Sequence, residues 1–65
     1  MMARTVFDVL TDECDEKIEQ LKEFLASGGA KSFDEYRSLC GEIKGLFTAR
    51  SRIQDLQHKM ENSDE

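Results

Sequence analysis

Proline is absent from this sequence, so nothing in it forces a helix to kink or stop at an interior residue. Long apolar runs are missing too. None approaches the ~20 residues that a membrane-crossing helix needs, and Met1-Met2-Ala3-Arg4 lacks the hydrophobic stretch of a targeting segment. Histidine occurs once, at His58, and cysteine twice, at Cys14 and Cys40, with no metal-ligand spacing among them. His58 has Asp55 and Glu61 within helical reach, a weak metal option at most. The carboxylates at positions 12, 15, 16 and 19 offer no loop cage for calcium. There is no glycine-rich phosphate loop and no paired acid, base and nucleophile. The sequence thus carries no catalytic, cofactor-binding or metal constellation, and we expect a non-enzymatic protein.

Positive charge is also in short supply. Lys and Arg number 9 against 14 Asp and Glu, a formal net charge of −5. Binding to nucleic acid by neutralising phosphates requires the opposite balance, so nucleic acid is not an expected partner. The charge is unevenly spread. Residues 8–23 hold seven acids (Asp8, Asp12, Glu13, Asp15, Glu16, Glu19, Glu23) against Lys17 and Lys22. Residues 31–59 hold six bases against four acids. Oppositely charged halves suit two helices lying side by side.

What is present is helical periodicity. Charged residues make up 35% of the 65 residues, and the abundance of Glu, Lys, Leu and Gln favours long helices. Phe7, Leu10, Cys14, Ile18, Leu21 and Leu25 recur at steps of three and four, the spacing of one helical face. Thr5 with Asp8 forms a weak capping pair, and Thr11 offers a later start. Ser27-Gly28-Gly29 ends this helix, because glycine adopts the left-handed conformation at a helix terminus. Ser32-Phe33-Asp34-Glu35 then reads as a full capping box. A second helix follows, with Tyr36, Leu39, Ile43, Leu46 and Ile53 on one face. The pattern predicts an all-α, two-helix antiparallel hairpin. Helix 1 covers about 6–27, a loop 28–32 and helix 2 about 33–61, with a polar tail at 62–65, in a single domain spanning 1–65. A connection this short forces neighbouring helices antiparallel.

In an antiparallel pair, facing residues have numbers with a constant total. The apolar stripes pair as Leu25 with Tyr36, Leu21 with Leu39, Ile18 with Ile43, Cys14 with Leu46 and Phe7 with Ile53. That register sets the two thiols about 9 Å apart along the axis at 1.5 Å per residue, beyond disulfide reach. Two reduced, buried cysteines are expected. Arg50 points to the seam near Leu10 and is expected to reach Asp8 or Glu13.

Several residues are left over for a partner. Phe33, Cys40 and Phe47 form a second apolar stripe at seven-residue spacing, with Phe24 adding to it from helix 1. Two helices cannot bury so wide a face between themselves. Gly41 and Gly45, with Ala49 next in line, point away from the seam, although glycine inside a helix costs about 1 kcal/mol relative to alanine. Leu56 and Met60 extend that side. Phe33, Cys40, Phe47, Gly41, Gly45, Ala49, Leu56 and Met60 are therefore the candidate partner-binding residues. A chain this short nets only about 3–5 kcal/mol from its own core, so a partner protein or a second copy in a four-helix bundle is expected. Arg37, Lys44, Arg52 and Lys59 share an outer face of helix 2, a solvated rail or a contact for an acidic partner.

The runs Thr5-Val6-Phe7-Asp8-Val9-Leu10, Tyr36 to Gly41 and Ile43-Lys44-Gly45-Leu46, with Ala49 and Asp55-Leu56, resemble a family of short proteins encoded by tailed bacteriophages among their virion-structure genes. The resemblance spans most of residues 5–60. It implies a phage origin and a place in the capsid, neck or assembly machinery, in the host cytoplasm or the virion. It carries over no catalytic or binding residues. The competing expectation is an acidic phage inhibitor, binding a host DNA- or RNA-processing enzyme through helix 1.

Overall fold

The computed structural model describes residues 4–62. It is an all-α hairpin of two helices, α1 (Val6–Ala26) and α2 (Phe33–Glu61), which pack along their lengths. The molecule is a flat rod of 51 × 23 × 12 Å, one helix thick.

Both helix starts are side-chain capped, with the two expected roles exchanged. Thr5 and Asp8 form the complete box: the Thr5 hydroxyl accepts from the Asp8 N–H at 3.2 Å, and the Asp8 carboxylate accepts from the Thr5 N–H at 3.1 Å. At α2, the Ser32 hydroxyl accepts from the Glu35 N–H at 3.1 Å, but Glu35 reaches past Ser32 to the Lys31 N–H at 2.6 Å. Thr5 hydrogen bonds are the main reason the Asp8 carboxyl titrates below its ordinary value, with Gln57 and Arg4 adding to the shift. A depressed carboxyl contributes stability above its unfolded pKa and loses it as pH falls through the folded value. Helix content should therefore decline as pH drops below about 4. Thr5→Ala, which removes the cap, should cost about 1 kcal/mol in a thermal melt followed by circular dichroism.

The end of α1 is closed by a Schellman motif. The Gly28 N–H bonds to the Leu25 carbonyl at 3.1 Å and the Gly29 N–H to the Phe24 carbonyl at 2.9 Å, satisfying carbonyls that the helix leaves open. The two glycines serve different ends. Gly28 supplies the left-handed turn, φ 83°. Gly29 is needed for space, because a Cβ there would lie 2.5 Å from the Phe24 ring.

The seam follows a strict four-three ladder. On α1 the less exposed positions include Phe7, Thr11, Cys14, Ile18, Leu21 and Leu25, with Asp8 and Asp15 beside them; on α2 they include Leu39, Ile43, Leu46, Arg50, Ile53 and Gln57. Thr11 takes the place expected for Leu10, which is 39% exposed, and Tyr36 is 49% exposed and outside the seam. The register is correspondingly displaced. Arg50 Nε lies 2.6 Å from Asp15 Oδ1, and Gln57 acts on Asp8. Both pairs have numbers totalling 65, about one helical turn beyond the 60 implied by pairing apolar residues alone. Tyr36 is the reason: counted into the seam, it slides the whole stripe by one step, yet its ring sits beside Phe33 at 6.3 Å between centroids. Arg50 does enter the seam, but its partner is Asp15 and not Asp8 or Glu13. The Nε–H is not aimed at the Asp15 oxygen and, buried, makes no hydrogen bond. With both side chains partly exposed, this pair fixes register more than it stabilises.

Candidate protein-binding surface

Among the described residues Ile18 alone is fully buried, at 3% exposure. Nine large hydrophobic side chains, by contrast, stand in the open. The two helices shield one narrow line of contact, and a rod one helix thick leaves everything beside that line bare.

Phe33 and Phe47 are 70% and 50% exposed, while Cys40 between them is half-buried. Three features organise this stripe. The Phe33 ring stacks beside Tyr36, and the Arg37 guanidinium sits over it, 5.9 Å from the ring centre. Cys40 lies one turn from Tyr36 and raises the phenol's pKa, first by a side-chain hydrogen bond and then by the charge its thiolate would carry. Beyond Cys40 an open hollow of 730 Å³ runs along α2, with Cys40, Ile43 and Phe47 among its apolar walls and Lys44 and Arg52 among its basic ones. The apolar stripe and much of the basic rail are thus one surface. Arg37 covers Phe33, and Lys44 and Arg52 border the same hollow as Phe47. Lys59, the fourth rail residue, is exposed further along the helix.

Phe24 does not join this stripe. Its ring covers Gly29, and it lines a second hollow of 450 Å³ with Lys31, Glu35 and Ser38. Gly41, Gly45 and Ala49 are all exposed, and a Cβ built at either glycine meets nothing within 4 Å. No contact inside the hairpin therefore requires glycine at these positions. Leu56 and Met60 are exposed at 51% and 57%. Val6 and Val9, also exposed at 65% and 39%, escaped the sequence reading because they fall off the seam periodicity.

Both cysteines are free and half-buried. Among the described residues no group of His, Cys, Asp and Glu is placed to hold a metal, so His58, Asp55 and Glu61 do not form one. No described helix is long and apolar enough to cross a membrane. The arrangement offers exposed hydrophobic area with a basic border. No family model, curated protein or solved structure matches this chain.

Proposed function

We propose that this chain is a non-enzymatic protein-binding module, a bacteriophage virion or assembly accessory protein that docks through α2. The observation that carries the binding role is that, among the described residues, one side chain is buried while Phe33, Tyr36, Phe47, Leu56 and Met60 of α2 all stand exposed. Contiguous apolar surface on a protein this size marks a docking face, and a core this small is stabilised by whatever covers it. The phage setting rests on the resemblance of the runs at Thr5–Leu10 and Tyr36–Leu46 to short virion-gene proteins. Gly41, Gly45 and Ala49 give a partner's backbone close access, and Leu56 and Met60 border that contact.

Copurification with phage particles or assembly intermediates, followed by mass spectrometry, tests the proposal. Leu56→Asp, at an exposed position, should leave helicity intact and lower the particle-bound fraction by about tenfold or more. Absence of the native chain from both particles and intermediates would overturn it.

A second reading, the acidic inhibitor of a host enzyme, is favoured by one observation. Glu13, Glu16 and Glu23 are exposed on α1 and form none of the ion pairs among the described residues, whereas Asp12 is paired with Arg4 and Glu19 with Lys22. Under that reading, combined Glu16→Lys and Glu19→Lys abolishes binding to the host enzyme, and Leu56→Asp does not.

A further inference from the structure

We infer that a second copy of this chain covers the Phe33–Cys40–Phe47 stripe, the two α2 helices running antiparallel across a twofold axis at Cys40. The inference deepens the binding-module reading and rests on it, though not on the phage assignment. It gives one exposed face of α2 to self-association and leaves the Gly45–Ala49–Leu56 side for another protein.

A twofold contact between antiparallel helices sets each residue opposite the one equally far beyond the axis. Phe33 and Phe47 lie seven residues before and after Cys40, about two helical turns each way. Phe33 of one copy then meets Phe47 of the other, twice, and Cys40 meets itself. Phe47 borders the 730 Å³ hollow, so an incoming Phe33 ring has a place to enter.

Area supports the same occupant. Phe33, Tyr36 and Phe47 are 70%, 49% and 50% exposed. At about 150–250 Å² per aromatic side chain, these three offer roughly 250–400 Å² per copy. That is a third to a half of the ~800 Å² which a standard interface buries on each partner, before the hollow's other walls are counted.

Charge is compatible as well. Lys44 comes opposite Tyr36 of the second copy, two residues (about 3 Å) from the level of Asp34 on the same side of the stripe. One Lys44–Asp34 pair can therefore form in each half. Cys40 is near the loop end of the hairpin, so the two copies overlap there. The acids between Asp8 and Glu19 point away in opposite directions, and the two acidic helices do not meet.

Sedimentation equilibrium of the reduced native chain from micromolar to hundreds of micromolar should show a mass twice 7.5 kDa. Added diamide, which accepts two electrons and two protons as two thiols close into a disulfide, should link the copies covalently. The link should persist in Cys14→Ser and vanish in Cys40→Ser. Phe47→Asp should weaken the dimer by about 30-fold, whereas Leu56→Asp should leave it intact. Three results would overturn the inference: a monomer at every concentration, a covalent dimer made through Cys14, or a dimer that survives Phe47→Asp and fails with Leu56→Asp. A strictly monomeric chain that still binds particles would sink self-association alone. A dimer joined at Cys40 that binds no particle would support the inference while the virion role fails.

Discussion

Ile18→Ala should abolish cooperative folding of the isolated chain, turning its thermal melt into a broad, non-sigmoidal loss of helicity. Truncating a buried isoleucine to alanine costs about 2–5 kcal/mol, and a core this small supplies only about 3–5 kcal/mol in total. No other described side chain is as enclosed, at 3% exposure, so no neighbour can take over its role. Ile18→Val, which removes one methylene, should cost about 0.5–1.5 kcal/mol and leave a recognisable transition at lower temperature. The graded pair matters because it separates core loss from helix propensity. Alanine is the better helix former, so a destabilised Ala variant cannot owe its defect to α1 itself. Cooperative melting of Ile18→Ala equal to that of the native chain would mean that the seam is not what holds the hairpin together. Stability that returns on raising the protein concentration would instead locate the missing burial at an interface between copies.

The fold was legible because its punctuation is local. Ser27-Gly28-Gly29 and Ser32 to Glu35 mark the turn, and α1 and α2 end within a residue of the expected bounds. The register was not legible, for a specific reason. Thr11, Arg50 and Gln57 hold seam positions with methyl or methylene groups that apolarity counting omits, while Tyr36 appears apolar and sits outside. Removing three steps and adding a false one moves the pairing by a helical turn. Phe24 was misplaced because its contact is with loop backbone at Gly29, which no helical wheel represents. The exposed apolar surface was half legible. Exposure of Phe33 and Phe47 follows from seven-residue spacing off the seam, and that of Leu56 from its place beside Ala49 on the glycine side. The convergence of Lys44, Arg52 and Phe47 on one hollow depends on side-chain reach across adjacent stripes, which spacing cannot supply.

Gly41→Ala and Gly45→Ala together should stabilise the free hairpin by roughly 2 kcal/mol, about 1 kcal/mol for each position. Both glycines lie inside α2 with helical, not left-handed, backbone. A Cβ at either site enters open space, so no clash offsets the gain. Alanine also has fewer unfolded conformations to give up than glycine. An increase this large, in a chain with so little stability of its own, should raise the melting midpoint by well over 5 °C. Under the proposed docking role, a partner backbone approaching the exposed glycine side would offset that gain. The same double variant should therefore bind particles more weakly while melting later, with dimer formation at Cys40 unchanged, because neither glycine shares that stripe. Later melting with undiminished particle binding would remove the glycines from the docking face and leave Leu56 and Met60 to carry it. Unchanged melting would show that α2 is not continuous through residues 41–45 in solution, and the geometry of both faces would have to be redrawn.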